Sequence, residues 1–141
     1  MPDALCQIAN SYYKKASQIE DAQRKDYFRR AAEIYEKIIN VLPASRNLTP
    51  RACYFAGDCC HELGEYEKSV QYYQKVVDNY PTYGLAWSAL FNIGSNYQQM
   101  SKAGLISKSE ADAKTKAAYE QLLVKYPDCR AAIAAQGWLS R

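Results

Sequence analysis

Histidine occurs once in this chain, as His61, and that scarcity removes most catalytic arrangements before any spacing is weighed. A Ser/His/Asp or Cys/His device would have to use this one ring. No strained nucleophile turn, phosphate-binding glycine loop or HExxH helix surrounds it. A paired-carboxylate hydrolase is not excluded by composition, but the acidic residues fall at helix caps or on wet faces. The chain is therefore expected to be non-enzymatic and to need no cofactor. Charge of one sign is also scarce. The formal net charge is +3, too small and too dispersed to draw in a nucleic-acid backbone. The densest basic cluster, Arg24-Lys25-Asp26 through Arg29-Arg30, is broken by an acid and lies on a helix that must keep a wet face. No run approaches the roughly 20 apolar residues of a membrane span. No charged start leads into an apolar run, so no signal peptide is expected. Strand-like alternation is missing throughout.

Cysteine is better supplied, with five residues, yet helical geometry argues against disulfide and metal chemistry. Cys53, Cys59 and Cys60 fall on one expected helix. A rise of about 1.5 Å per residue puts Cys53 roughly 9 to 10 Å from the other two, beyond the roughly 7 Å reach of a bridge. Cys59-Cys60-His61 looks like a ligand cluster, but consecutive helical side chains diverge by about 100°, and no second Cys or His pair stands at zinc spacing. No metal site is expected. Cys53 and Cys60 read as small core residues. Several reduced thiols favour a reducing compartment such as the cytoplasm, with the periplasm the alternative if the chain is excised from a longer protein.

What the chain has in quantity is a recurring pattern. Gly57, Leu63-Gly64-x-Tyr66, Tyr73 and Tyr80-Pro81 are followed by Gly94, Tyr97, Tyr119 and Tyr126-Pro127. A repeated small-residue and aromatic pattern is the mark of stacked supersecondary units. One unit runs from about 50 to 81, a third from about 87 to 127, and a first from about 2 to 43 on Leu5, Ile8, Ala9, Tyr12, Ala31, Tyr35, Ile38 and Pro43. Extra residues relative to the middle unit fall near 17–25 and 101–109. A capping helix covers about 129 to 140. Seven helices are expected, near 3–18, 25–41, 50–63, 66–79, 83–100, 109–125 and 129–140. Thr49-Pro50, Ser109 and Asp128 are the expected N-terminal punctuation, and each Tyr-Pro lies just past a helix end. With 48% apolar residues, a single domain with a continuous helical core is within reach.

Counted from Pro50, the middle unit has Cys53 fourth, Ala56 and Gly57 seventh and eighth, Cys60 eleventh, Ser69 twentieth, Tyr73 twenty-fourth, Val76 twenty-seventh and Pro81 thirty-second. This register resembles the tetratricopeptide repeat. The resemblance implies an all-α, right-handed superhelical solenoid of antiparallel helix pairs, with small residues at positions eight and twenty letting the helices of a pair approach closely. It also implies a concave groove lined by the first helix of each unit. Carried over position by position, the groove takes Asp3, Cys6, Gln7, Asn10, Tyr13 and Lys14 from the first unit. The second supplies Arg51, Tyr54, Phe55, Asp58, His61 and Glu62. The third supplies Ser88, Phe91, Asn92, Ser95, Gln98 and Gln99. Rings beside amides suit an extended or helical peptide. The alternative is that Tyr54, Phe55 and Phe91 are packed between helices. The carboxylate clamp with which such grooves hold heat-shock chaperone tails would need other residues at Cys6, Phe55, Ser88 and Asn92, and only Asn10 fits, so that use is not expected.

With Gly64-x-Tyr66-x-x-Ser69, Val76-Val77-x-x-Tyr80-Pro81 and a closing Ala131-Ala132-x-x-Ala135 helix, residues 50 to 140 also resemble the repeat domains of bacterial envelope adaptors, the TolA-binding regulator and the β-barrel assembly lipoprotein among them. The expected function is a scaffold binding a peptide or protein segment in the groove, as an adaptor in a bacterial multiprotein assembly; the alternative is a self-assembly module. Ala131, Ala132, Ile133, Ala134, Ala135, Trp138 and Leu139 make the last helix apolar on more than one face. A contact with a second copy of the chain, or with a further repeat, is expected there.

Overall fold

The computed structural model describes residues 2–41 and 48–141. Pro43, placed at the end of the first unit, lies outside the described residues, as does the side chain of Asp3. Seven helices follow one another: α1 (Pro2–Gln18), α2 (Gln23–Val41), α3 (Leu48–Glu62), α4 (Tyr66–Asn79), α5 (Ala86–Lys102), α6 (Lys108–Lys125) and α7 (Ala132–Leu139). Among the described residues there is no strand, and the all-α class is as the periodicity predicts. The chain divides into two compact units, Met1–Tyr72 and Tyr73–Arg141, with the boundary inside α4.

In the first unit α1 and α2 run antiparallel. Tyr13 meets Phe28 edge-on at 5.8 Å, while three residues earlier Asn10 accepts a hydrogen bond from Tyr35 further along α2. Ala9, Ala16 and Ala31 are fully buried, so small side chains sit where the pair is tightest. α2 in turn packs antiparallel to α3, with Tyr35 stacked on Phe55 at 6.0 Å and Arg24 reaching Glu62 at 3.1 Å. In the second unit α5 and α6 pair in the same way. Phe91 lies flat on Tyr119 at 5.1 Å, and α7 closes on that stack through the edge of Trp138, 5.5 Å from Tyr119.

The positions that the repeat keeps small also carry a hydrogen bond. Ser69 Oγ donates to the Gly57 carbonyl at 2.7 Å, and Thr115 Oγ1 donates to the Gly94 carbonyl at 3.2 Å. In the repeat register both are a hydroxyl at position twenty meeting a carbonyl at position eight. Both donors are fully buried, so each would be costly if left unpaired. Gly94 shows why its position excludes a side chain: a Cβ there would stand 2.5 Å from Tyr119 Cε1.

Helix ends follow local chemistry. After α3, Gly64 takes a φ of +79°, its N–H bonds to the His61 carbonyl at 3.0 Å, and the Glu65 N–H reaches back to Cys60 at 2.8 Å. After α5, Gly104 repeats this with φ +77°, bonding to Ser101, while Leu105 reaches Met100. Both are glycine stops that satisfy orphan carbonyls at a backbone conformation other residues rarely adopt. The tyrosines of the two Tyr-Pro corners follow α4 and α6 directly, and Tyr126 Oη donates to the Pro81 carbonyl at 2.7 Å.

Three expected caps are corrected. α6 is capped by Ser107, not Ser109: its side chain accepts from the Glu110 N–H at 3.1 Å, and the Ser-x-x-Glu spacing of 107–110 is the capping-box pattern. Asp128 does not start α7; turns through Cys129 carry the chain on to Ala131, which flanks the helix without a side-chain cap. α3 begins at Leu48, so the buried Thr49 sits inside its first turn. The extra residues near 17–25 and 101–109 go mainly into helix length. α1 and α2 have 17 and 19 residues, and α5 and α6 have 17 and 18, against 15 and 14 in α3 and α4.

The five cysteines are in no disulfide; Cys6, Cys53, Cys59 and Cys60 are buried, and Cys129 is half-buried. Burial pushes the Cys60 thiol up to about 11, helped by the nearby Glu65 charge. Cys59 and the phenols of Tyr13, Tyr35 and Tyr72 are raised as well, in each case first by burial. The folded chain holds these protons more tightly than the unfolded chain does. Their contribution is therefore complete below the ordinary thiol and phenol range and is lost as the pH rises towards the folded values.

Three outcomes follow from this packing. Gly94→Ala should cost about 1 to 3 kcal/mol, because the Tyr119 ring it would strike is buried and held between Phe91 and Trp138. A denaturant midpoint equal to that of the wild type would show the α5–α6 approach to be looser than described. Ser69→Ala should cost about 0.5 to 1.5 kcal/mol in the same assay. Stability measured from neutral pH upward should hold to about pH 9 and then fall through about pH 11, whereas a flat profile would mean that the buried thiols and phenols ionise freely.

Candidate functional site

The first-helix residues of the first unit come together around one ring. Phe55, on α3, meets Tyr13 edge-on at 5.1 Å, Tyr54 edge-on at 5.3 Å and Tyr35 in a stack at 6.0 Å. The Arg51 guanidinium, one turn earlier on α3, stands 5.8 Å from its centroid. Phe55 remains half-exposed, so a ring fixed on several sides still presents area to the outside. Tyr13 Oη donates to Asp58 Oδ2 at 2.9 Å, joining α1 to α3 and leaving the Tyr13 ring half-exposed beside Phe55. Asn10 accepts from Tyr35 and donates weakly to Cys6 Sγ at 3.7 Å.

Of the residues expected in this unit, Asn10, Tyr13, Arg51, Phe55 and Asp58 are thus drawn into one surface patch. Tyr54 is only 8% exposed, which makes it a support for Phe55 in this structure more than a contact surface of its own. His61 lies further along α3, its ring 5.5 Å from Tyr66. Glu62 is engaged by Arg24, whose guanidinium also covers Phe28 at 5.3 Å. Phe28 and Tyr35, second-helix residues that pack on Tyr13 and Phe55, are not among the positions that the repeat resemblance assigns to the groove, because it carries over first-helix positions alone.

In the second unit the expected residues line α5. Phe91 is half-exposed above Tyr119, Ser95 is hydrogen-bonded to the Tyr119 phenol, and Asn92 lends its carbonyl to Asn96 Nδ2 at 3.0 Å. Gln98 Nε2 donates to Thr115 Oγ1 at 2.8 Å and to Asp112 Oδ1 at 3.1 Å. Gln98, Lys108 and Lys116 also line a cleft of about 440 Å³ that is bounded by α7. The α6 side of that cleft was not anticipated, because first-helix positions alone were carried over.

The chemistry available on these surfaces is that of binding. Cys59 and Cys60, next to His61 in sequence, hold their protons, and a protonated thiol is a weak nucleophile. Among the described residues no group of three or more His, Cys, Asp or Glu is placed to hold a metal ion. No helix among them is long and apolar enough to cross a membrane.

Comparison with known families agrees with the register. Tetratricopeptide repeat models match residues 50–83, which take in the Pro50 start together with α4, and residues 88–128, which take in most of α5 and all of α6. No curated protein matches the chain. Repeats of this kind are in general protein–protein interaction motifs on non-enzymatic scaffolds. Two matched repeats, together with helix pairs closed at the small eighth and twentieth positions, place the chain in the tetratricopeptide repeat family.

Proposed function

We propose that this protein is a non-enzymatic scaffold that holds a segment of a protein partner against its first helices, with the Tyr13–Phe55 patch as anchor. The observation that carries this reading is the fixed yet half-exposed Phe55 ring, braced by Tyr13, Tyr54 and Tyr35 and flanked by Arg51 and Asp58. A ring already immobilised loses little freedom when it is covered, so more of its burial appears as affinity. Asn10 and His61 extend the patch along α1 and α3. Phe91, Asn92, Ser95 and Gln98 provide the corresponding contacts on α5. An adaptor role in a bacterial multiprotein assembly is the form of this function that the envelope-adaptor resemblance supports.

Self-association through the last helices is the second reading. It rests on Ile133 and Val124, which are 86% and 81% exposed, whereas Trp138 is partly covered by Tyr119. Sedimentation of the wild type beside Ile133→Glu tests it: loss of a dimer in the variant supports it, and a monomer in both at high concentration removes it.

For the scaffold reading, peptides selected from a random displayed library against the wild type should lose on the order of 2 kcal/mol of affinity for Tyr13→Ala and Phe55→Ala. Arg51→Glu, at an exposed position, should weaken the same peptides without loss of fold. Unchanged affinity in all three, with wild-type circular dichroism, would move the site elsewhere.

A further inference from the structure

The cleft in the second unit has a chemistry of its own. Its walls come from α5 through Gln98, from α6 through Lys108, Asp112 and Lys116, and from the chain at and after α7 through Trp138 and Arg141. Three cationic side chains therefore meet one carboxylate around a space of about 440 Å³, within the range of cavities that take ligands. That carboxylate is already committed. Asp112 Oδ1 accepts from Gln98 at 3.1 Å and Oδ2 from Lys108 at 3.2 Å, so Lys108 is the cation it holds, while Lys116 and Arg141 are the other two cationic side chains of the lining. Lys116 approaches Glu120 at only 3.8 Å, with both side chains more than half exposed, and such a pair holds its lysine weakly. Trp138 supplies an apolar wall whose indole is fixed by its edge contact with Tyr119.

We infer that this cleft docks an acidic segment of a protein partner, an Asp or Glu side chain facing Lys116 and Arg141 and a neighbouring apolar side chain lying on Trp138. The argument is charge complementarity joined to a preformed wall, and it concerns a surface separate from the Tyr13–Phe55 patch. Asp112 acts as a brace here. Its carboxyl is held below the usual carboxylate range by the bonds from Gln98 and Lys108 and by the charge of Arg141, so it stays ionised and keeps Lys108 turned along α6.

The probe is a fluorescent peptide with both ends blocked, of sequence Glu-Leu-Asp-Phe-Glu, compared by anisotropy with its Gln-Leu-Asn-Phe-Gln counterpart and with free glutamate as competitor. The acidic peptide should bind, and its affinity should fall as salt is raised from about 0.05 M to about 0.5 M. Arg141→Glu, at an exposed position, should weaken it on the order of tenfold. Asp112→Asn, which removes the competing charge, should strengthen it about twofold to fivefold. Lys25→Glu, at an exposed position on α2, should leave it unchanged. Equal binding of the neutral peptide overturns the inference. So does indifference to Arg141→Glu with an unaltered melting curve, or an equal loss in Lys25→Glu. Free glutamate competing as well as the peptide at equal concentration would mark a small-molecule site and overturn docking of a segment.

Discussion

Gly94 and Tyr119 approach so closely that no Cβ fits between them, and most of the second unit is arranged around that contact. The missing side chain lets α6 come close enough for Thr115 to reach the Gly94 carbonyl, and it seats the Tyr119 ring between Phe91 and Trp138. Remove the gap, and the hydroxyl bond, the ring stack and the seat of α7 are strained together. Ser69 and Gly57 make the same bond in the first unit. In α1 and α2 the residues at the corresponding positions are Ala9 and Ala31, both fully buried and neither bearing a hydroxyl, so the recurring constraint is small size and the hydrogen bond is an addition to it.

Much of this was legible in the sequence because close helix packing requires residue size at fixed intervals, and size is what a sequence displays. Gly57, Gly94, Ser69 and the Tyr-Pro corners set the register, and the register set the helix pairs. Helix starts were less legible. Ser107 and Ser109 are both good caps, and only the glutamate three residues after Ser107 distinguishes them. The surplus near 17–25 and 101–109 could be counted in the sequence but not assigned to helix or turn, since length carries no sign of its conformation; most of it lengthens the helices, with 19–22 and 103–107 left as connections. The candidate patch was legible as a set of residue types. Which of its rings would be buried was not, because the burial of Tyr54 depends on what packs across from it.

The division of labour among the side chains follows from that packing. Thiols and alanines fill the narrow seams, where Cys53, Cys59 and Cys60 are almost wholly buried. Rings occupy the wider spaces between helices and emerge at the surface with one edge or face still open, as Tyr13, Phe55 and Phe91 do. A surface built from the outer parts of core residues is stiff in a way that a surface of lysines and glutamates is not. The second unit combines both kinds. Its cleft sets a fixed indole beside long cationic side chains that can adjust.

The two hydroxyl bonds also differ in how much chain they enclose. Ser69 and Gly57 are 12 residues apart, whereas Thr115 and Gly94 are 21 apart. Closing the longer loop costs roughly 0.5 kcal/mol more entropy, by the logarithmic dependence on loop length. The turn between α3 and α4 is accordingly the cheaper place for two helices to meet first, with Gly64 already setting the reversal. Should both bonds open, the shorter loop re-forms with the smaller loss of chain freedom, so the Ser69–Gly57 contact is the readier of the two to be restored.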